Sequence, residues 1–405
     1  MNTARLRFLD YWIGRPLCHL ATVWSRLRRP FHPRKDPATA GSVLFIKLMG
    51  IGSIVLTLPT LLALKRHHPE MRIYFLTFSS NAQFLHLLNI CTADHIIPVE
   101  THSVWLLFRS AFQALRKIRA EKIDLVIDLE FFSRFTALFA FLATPKTGII
   151  GYHGFHCEGL KRGDLIDHPI DFNCTLHTSQ TFFTLLRPLG ITQESYDSTL
   201  PQIPPSPGAT ERFRAWLNQA GFPTDRTAPS GWIAVNPHCG DLIQLRKWPL
   251  KHFAHLIHIL LDRHPEFGIV LIGSGQERAN GEHLRSMLET KILDRVFNLA
   301  GMTDIQGLLD LFHSTLCVVS NDSGPAHLAA MTGVPSVVLF GPEIPELYRP
   351  LGENVEVLRL RLDCQPCVSV YNGKRSWCHK NRCLSDLSPT IVVEAVERAC
   401  LKKSQ

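Results

Sequence analysis

Apolar, strand-like segments alternate with helix-like segments along almost the whole chain, and this alternation restricts the fold more than any other sequence feature. A first series runs from residues 43–48 to residues 148–152, and a second runs from 232–236 to 355–360. Strands that alternate with helices predict a parallel sheet with helices on both faces. Two such series in 405 residues predict two α/β domains rather than one core.

The stretch between the two series is rich in proline and glycine: Pro201, Pro204, Pro205, Pro207 and Gly208. This composition is typical of an interdomain linker, although a long surface loop would have it too. We therefore predict a basic leader at 1–40, a first domain at 41–200, a linker region at 201–230, a second domain at 231–388 and a closing helix at 389–405.

Positive charge is concentrated at the amino-terminal end of a chain whose net charge is +8. Eight arginine or lysine residues, but only two aspartates, precede residue 38. Apolar residues recur there at helical spacing: Leu20, Val23, Trp24 and Leu27. A basic amphipathic helix is therefore predicted over 16–28. It would lie either on an anionic membrane surface or on the protein's own core. Nucleic acid is not predicted as a partner, because no recognised binding motif accompanies the charge.

The sequence also bears on the compartment. No segment approaches the roughly 18 uncharged apolar residues that a membrane span needs. Asp10 and Arg15 interrupt the apolar stretch near the start, so no secretory signal is predicted. Seven of the eleven cysteines are scattered singly, which favours a reducing compartment. We expect a cytoplasmic protein that is peripheral on the inner face of the cytoplasmic membrane.

The strongest polar cluster is Asn321-Asp322-Ser323-Gly324-Pro325-Ala326-His327, where a strand should end and a helix begin. Ligands bind at the carboxyl ends of strands in open parallel sheets, and helix N-termini favour anions. The amides of Ser323 and Gly324 therefore suit a diphosphate, whereas the Asp322 carboxylate suits sugar hydroxyls. His327, one turn later, could reach the same cavity. The alternative is that Asp322 or Ser323 only caps the helix and His327 only packs.

Two further clusters follow strands of the second series. Arg246 and Lys247 precede a proline that suits the start of a helix, and their charges suit a phosphate. Gly273, Ser274 and Glu277 follow an apolar strand, where a carboxylate can bind the hydroxyls of a ribose. The alternatives are solvated cations and a glycine turn with a solvated Glu277.

Taken in this order, the motifs resemble glycosyltransferase family 9. The matching segments of the second half are Arg246-Lys247-Trp248-Pro249, 273–277, 298–303, 321–327 and Phe340-Gly341-Pro342. In the first half, residues 46–59 match, and the resemblance covers roughly residues 42 to 389. It implies a GT-B fold, in which two Rossmann-like domains have parallel sheets that face a cleft. The second domain would bind the donor and the first the acceptor.

The resemblance also implies a reaction. A nucleoside-diphosphate sugar, ADP-heptose by default, would donate its sugar to a lipopolysaccharide-type or other glycolipid acceptor. The anomeric carbon would be inverted without a cofactor or catalytic metal. The roles implied on the donor side are contact with the sugar for Asp322, contact with the diphosphate for Ser323, Gly324, His327 and Lys247, and contact with the ribose for Glu277.

Ser53 departs from the family's pattern. It follows the acceptor-side turn of Gly50 and Gly52, at a position where relatives usually carry an aspartate as general base. Serine has no useful basicity unless another group activates it. Asp128 or Glu130 could act instead, the acceptor could differ, or transfer activity could be lost. Ser53 itself could bind the acceptor or cap the following helix.

Four cysteines cluster near the carboxyl-terminal end: Cys364, Cys367, Cys378 and Cys383. Four thiolates can form a closed tetrahedral zinc site, so a structural zinc is one prediction. Reduced thiols in a loop, or a redox-sensitive pair, are the alternatives. For the whole chain, two other function classes stay open. One is a sugar-nucleotide epimerase or hydrolase on a similar fold, and the other is a non-catalytic sugar-nucleotide-binding protein that has lost its base.

Overall fold

The computed structural model describes residues 3–28, 36–153, 162–222, 229–240, 243–370 and 372–403. The chain divides into two compact units, Met1–Ser198 and Thr199–Gln405. Each unit contains one six-stranded sheet in which all neighbouring strands are parallel. Both sheets therefore belong to the α/β class that the alternation predicts.

The strands of the first unit are β1 (Ser42–Ile46), β2 (Arg72–Phe78), β3 (Ile96–Val99), β4 (Leu125–Asp128), β5 (Gly148–His153) and β6 (His168–Asp171). Its helices are α1 (Thr3–Trp12), α2 (Gly14–Arg28), α3 (Ile51–His67), α4 (Ser79–Leu88), α5 (Val104–Ala120), α6 (Arg134–Ala143) and α7 (Thr178–Thr184). The strand order is β3-β2-β1-β4-β5-β6. The sequence does not predict β6, because this edge strand contains one buried residue and no apolar run.

Both faces of the first sheet are covered, which explains why its central strands read as continuous apolar runs. All residues of β1 are buried. Helices α5 and α6 cover one face, where their apolar residues form a cluster with Leu44, Ile46 and Leu76 of the sheet. The buried residues of α5 have the spacing of a single helix face: Leu107, Ala111, Ala114 and Ile118.

The amino-terminal leader docks on the first unit. Asp10 accepts hydrogen bonds from the backbone N–H groups of Arg134 and Phe135 (2.9 and 2.8 Å), so it caps the start of α6. Small residues of α2 make the contact, because Cys18 is 2% exposed and a Cβ on Gly14 would lie 2.7 Å from the Cβ of Arg134. No helix in the described part of the chain is long and apolar enough to cross a membrane.

The face of α2 that the sequence marks as apolar points away from this contact. Each of its residues is more than half exposed: Leu20 67%, Val23 59%, Trp24 52% and Leu27 64%. The two alternatives for the leader are therefore compatible. The helix docks through its small residues and leaves its large apolar residues in solvent.

The strands of the second unit are β7 (Gly231–Asn236), β8 (Phe267–Leu271), β9 (Val296–Asn298), β10 (Cys317–Asn321), β11 (Ser336–Phe340) and β12 (Val355–Arg359). Its helices are α8 (Ala209–Gln219), α9 (Leu250–Arg263), α10 (Arg278–Ser286), α11 (Ile305–His313), α12 (Gly324–Ala330), α13 (Pro345–Tyr348), α14 (Arg382–Ser385) and α15 (Pro389–Lys403). The stretch 201–230 is more than a linker, because it contains α8. Trp216 of this helix packs on Gly307, where a Cβ would lie 2.9 Å from the indole.

The second sheet has the order β12-β11-β10-β7-β8-β9. Read from β9 to β12, it places its six strands in the same order as the first sheet does. In each sheet the winding direction reverses at the centre, between β1 and β4 and between β7 and β10. Ligands of open α/β sheets bind beyond the carboxyl ends of the strands at such a reversal. The fold therefore marks one candidate site in each unit.

Candidate functional site

The Glu130 carboxylate connects the ends of β1 and β4 at the reversal point of the first sheet. Its Oε1 accepts hydrogen bonds from the ammonium of Lys47 (2.9 Å) and from the N–H groups of Leu48 (2.7 Å) and Met49 (3.1 Å). The Lys47 side chain is 4% exposed and that of Glu130 is 15% exposed. Within the described residues Oε2 accepts no hydrogen bond, so one oxygen of a fixed carboxylate stays available.

Asp128 lies deeper in the same unit and is fully buried. Its Oδ2 accepts hydrogen bonds from Arg162 (2.6 Å) and Thr136 (2.9 Å), and its Oδ1 accepts one from the backbone N–H of Glu130 (3.1 Å). Burial raises the pKa of Asp128 to about 6, although Arg162 opposes the rise. Asp128 therefore holds the segment that carries Glu130, and both of its oxygens are occupied.

The acceptor-side turn begins α3 earlier than the sequence indicates. Gly50 is the N-cap residue, with a φ of 83° that favours glycine, and the helix begins at Ile51. Gly52 is buried in the first turn, and Ser53 follows it inside the helix. The prediction that Ser53 caps the helix is wrong, because the cap lies three residues earlier and has no side-chain hydrogen bond.

A chain of alternating charges lies at the reversal point of the second sheet. Arg246 Nη1 is 3.3 Å from Asp322 Oδ2, and Arg246 Nε is 3.4 Å from Glu343 Oε2. Lys374 Nζ donates to Glu343 Oε1 at 2.9 Å. The side chains of Asp322 and Glu343 are 4% and 1% exposed, so the two cations compensate two carboxylates that are out of water.

The surroundings move the pKa values of these two carboxyls in opposite directions. Burial raises the pKa of Asp322 to about 6, although Arg246 opposes this rise. Burial also acts on Glu343, but Lys374 and Arg246 outweigh it and hold its pKa below the ordinary value. Asp322 is thus the carboxyl of this network that takes up a proton first as the pH falls.

His238, Gly273 and Glu277 form the neighbouring part of the site. His238 Nδ1 is 4.0 Å from Glu277 Oε1, and its buried Nε2 has no hydrogen-bond partner among the described residues. A Cβ on Gly273 would lie 2.7 Å from the imidazole, so only glycine fits there. Glu277 Oε2 accepts from the backbone N–H (2.8 Å) and hydroxyl (2.9 Å) of Ser274, which fixes the carboxylate and leaves Oε1 toward His238.

The charged network of Arg246 and the part of the site around His238 lie close together. Burial raises the pKa of the Cys239 thiol to about 11. The charges of both parts also act on this pKa: Arg246 and Lys247 lower it, and Asp322 and Glu277 raise it. The ammonium of Lys247 forms no ion pair within the described ranges, whereas Arg246 is committed to Asp322 and Glu343. Lys247 is therefore the cation that is left to meet an added anion.

Ser323, Gly324 and His327 belong to the start of α12, which follows β10 and Asp322 of the charged network. Ser323 is the N-cap residue, but its hydroxyl makes no cap bond. It accepts instead from Asn236 Nδ2 (2.9 Å), which ties the ends of β7 and β10 together. His327 is buried within α12. The structure thus brings the other predicted donor-side residues to one reversal point, and the acceptor-side residues to the other.

The sequence patterns predict no role for four residues of the two sites: Lys47, His238, Glu343 and Lys374. The position of Lys47 could have indicated its role, because a lysine directly after a buried apolar strand requires a nearby anion. The position of Glu343 could have indicated its role too, since it follows β11 at the carboxyl edge where the other site residues lie. Lys374 stands in an irregular segment without a local pattern, so only the folded chain reveals its contact with Glu343.

The four clustered cysteines all line one cavity of about 310 Å³. Burial raises the pKa of the Cys383 thiol to about 11, and the nearby thiols of Cys367, Cys378 and Cys364 add to this rise. The backbone N–H of Asn381 donates to Cys378 Sγ at 3.3 Å. No three His, Cys, Asp or Glu side chains of the described chain are already arranged to hold a metal ion.

The chain is similar to known proteins in sequence and in fold. Residues 111–377 match glycosyltransferase family 9 (heptosyltransferase). Lipooligosaccharide heptosyltransferase 2 of Haemophilus influenzae is 30% identical over 158 residues, which are 39% of this chain and 44% of that protein. Lipopolysaccharide heptosyltransferase 3 of Escherichia coli K12 is 23% identical over 304 residues, which are 75% of this chain and 83% of that protein. The match thus spans less than half the length of the first of these relatives.

The fold has a solved counterpart. The structure of the Escherichia coli ADP-heptose lipopolysaccharide heptosyltransferase II superposes with a TM-score of 0.68 at 22% identity, and the match covers 90% of this chain and 100% of that chain. The chain therefore has the GT-B fold of two parallel-sheet α/β units. Because the family match extends over more than half of its residues, the chain belongs to glycosyltransferase family 9, the heptosyltransferase family.

Proposed function

We propose that the chain is an inverting glycosyltransferase that moves a heptose from ADP-heptose to a lipopolysaccharide-type acceptor. One observation carries the proposal beyond family membership. Residues from four separate stretches of sequence, marked by Lys247, Gly273, Asp322 and Glu343, converge at the reversal point of the second sheet. Such a point is where an α/β sheet binds a nucleotide.

The donor would bind through groups of the second unit that can still form hydrogen bonds or ion pairs. Lys247 and the amides of Ser323 and Gly324 would face the diphosphate, and Glu277 would accept hydrogen bonds from the ribose. Asp322 would accept them from the sugar. Stabilisation of the departing ADP then comes from the protein's own cation and amides, acting where negative charge develops. No catalytic metal takes part in this step.

Glu130 would act as the base in the first unit. The acceptor hydroxyl attacks the anomeric carbon, its oxygen forms the new C–O bond, and the bond to the diphosphate breaks with its electron pair. The proton of the hydroxyl passes to Oε2 of Glu130, the oxygen without a hydrogen-bond partner among the described residues. Ser53 and Asp128 would position the acceptor and the loop rather than take the proton.

Replacing Lys247 by methionine tests the donor site. We expect the Kd for ADP-heptose and for ADP to rise roughly 10- to 100-fold, because a phosphate contact is lost while the buried Arg246 network stays intact. Lys251→Met, at an exposed position of α9, is the matched control and should bind as the unmodified protein does. Calorimetric titration gives both values, and equal affinities for the two variants would remove Lys247 from the site.

Transfer itself is tested with ADP-heptose and a lipopolysaccharide core acceptor. The expected result is acceptor-dependent release of ADP together with a heptosylated product. Turnover of ADP-heptose without any acceptor would instead favour an epimerase or hydrolase. Tight donor binding without transfer to any acceptor would favour a non-catalytic binding protein.

Donor affinity should also depend on pH. If the sugar hydroxyls donate to Asp322, the ionised carboxylate is the binding form. Because the pKa of Asp322 is raised to about 6, affinity is present above that value and is lost as the pH falls through it. Titrations on both sides of this pKa should show the decline for the unmodified protein, whereas Asp322→Asn should bind weakly at every pH. An unmodified protein without the decline would contradict the contact.

The leader would keep the enzyme on the inner face of the cytoplasmic membrane, through the exposed apolar residues of α2. Deletion of the leader is a poor test, because it also removes Asp10 from the start of α6. Serine at Leu20, Val23 and Leu27 changes exposed residues and keeps Gly14 and Cys18 of the docking contact. This variant should lose binding to vesicles that contain phosphatidylglycerol, and unchanged binding would contradict the proposal.

The cysteine cavity would hold a structural zinc ion. Four thiolates are a preferred donor set for zinc, and the N–H of Asn381 points at one sulfur as it would at a metal-bound thiolate. We expect about one zinc ion per chain by elemental analysis of the purified protein, and its loss in Cys364→Ser and Cys378→Ser. Cys174→Ser, which changes an exposed lone cysteine, should retain the metal. Metal-free protein would contradict the site.

A further inference from the structure

Helix α5 exposes three large aromatic side chains. Trp105 is 64% exposed, Phe108 52% and Phe112 61%. They stand three and four residues apart and so form one stripe along the helix. The opposite face already fills the core with its own apolar residues, so packing of the first unit does not require the stripe. A contiguous exposed aromatic surface of this kind marks an interaction site.

The charge on α5 has a single sign. The helix contains four basic residues and no acidic residue: Arg109, Arg116, Lys117 and Arg119. Arg109 and Arg116 each follow an exposed aromatic residue by four positions, which places them along the stripe. The guanidinium of Arg109 lies 5.0 Å from the ring centroid of Trp105. Long cations beside aromatic rings suit the boundary between lipid headgroups and acyl chains.

The helix that carries the stripe and the helices of the leader both pack on α6. Helices α1 and α2 contact α6, and α6 contacts α5 on the same face of the first sheet. These four helices carry two, three, one and four basic residues, respectively. Asp10 is their single acidic residue, and it is occupied as the cap of α6. We call the exposed residues of α1, α2 and α5 the basic–aromatic face.

We propose that the basic–aromatic face docks on an anionic lipid bilayer, and that α5 inserts Trp105, Phe108 and Phe112 among the headgroups as a second contact beside the leader. This inference rests on the proposed membrane location of the enzyme. A second copy of the chain fits less well, because equal faces would bring like charges together. A bilayer surface offers both the negative charge and the interfacial environment that tryptophan prefers.

Two separated contacts have a consequence that one helix lacks. The docked leader alone would touch the bilayer through one helix and would leave the first unit free to tilt about the axis of α2. Contacts through both α2 and α5 fix which face of the first unit meets the bilayer. The acceptor-side residues belong to this same unit. A fixed orientation of the unit therefore keeps them at a constant distance and angle relative to the bilayer in which the acceptor is anchored.

The test is flotation of the full chain with vesicles of phosphatidylcholine alone or mixed with phosphatidylglycerol. Serine at Trp105, Phe108 and Phe112 together should reduce partitioning onto the mixed vesicles at least ~10-fold, because three interfacial aromatic side chains are lost. Glutamine at Arg109 and Arg116 should reduce it less, and only on the anionic vesicles. Trp377→Ser, at a 95% exposed tryptophan of the second unit, is the control and should bind as the unmodified chain does.

Unchanged partitioning of the α5 serine variant would overturn the proposal, as would equal loss for Trp377→Ser. So would a change in oligomeric mass without vesicles, because it would make the stripe a contact between copies. Heptose transfer to a water-soluble acceptor fragment is measured in parallel and should be unaffected by the α5 variant. Its absence in the unmodified protein would count against the transferase and not against the membrane contact.

Discussion

Replacing Glu130 by glutamine is expected to lower the free energy of unfolding by about 2–3 kcal/mol and to abolish heptose transfer. The loss of stability follows from Lys47, whose side chain is 4% exposed and would lose its counter-ion. The estimate lies below the range for a fully buried pair, because glutamine still offers an oxygen to Leu48 and Met49. Denaturant titration measures the stability, and initial rates at saturating ADP-heptose measure the transfer.

A second substitution separates these two effects. Lys47→Met together with Glu130→Gln removes both charges of the pair, so most of the lost stability should return. Transfer should remain absent, because the proton acceptor is still missing. A double variant that transfers heptose at the rate of the unmodified protein would remove Glu130 as the base. Activation of Ser53 by another group would then be the next hypothesis to test.

This pair also shows why only part of the first-unit site follows from sequence. The apolar runs around Phe45 and Ile127 predict neighbouring buried strands, since strands of a covered parallel sheet need apolar residues on both faces. Residues 47 and 130 are far apart in sequence, so their contact follows only from the pairing of β1 with β4. Helix propensity likewise does not reveal that α3 begins at Ile51, because the cap is a backbone conformation of Gly50.

The second unit could be predicted more completely. Its site residues lie in compact stretches that directly follow strands, and the carboxyl-end rule gathers such stretches at one edge. The rule places Asp322 and Glu277 in the same region, but it does not say that Arg246 is committed to two carboxylates. That commitment depends on Glu343 and on Lys374, which arrives from an irregular segment. The tertiary structure therefore decides which cation stays available to a ligand, and the sequence pattern does not.

Arg246→Met should have the largest effect in the second unit. It leaves Asp322 and Glu343 buried with Lys374 as their single cation, and Lys374 contacts Glu343 directly. We expect a loss of about 3–5 kcal/mol in unfolding free energy at neutral pH, the cost of an uncompensated buried charge. ADP-heptose affinity should fall as well, because Asp322 loses the partner that keeps it ionised.

The pH dependence identifies the cause of this loss. A carboxyl whose folded pKa exceeds its unfolded value binds its proton more tightly when folded, so stability is greatest in acid and is lost as the pH rises through the folded pKa. The pKa of Asp322 is already raised to about 6, and removing Arg246 removes an influence that lowers it. The variant should therefore regain stability as the pH falls. Arg246→Met with Asp322→Asn should regain it at every pH without recovering donor binding, whereas a pH-independent deficit would trace the loss to packing.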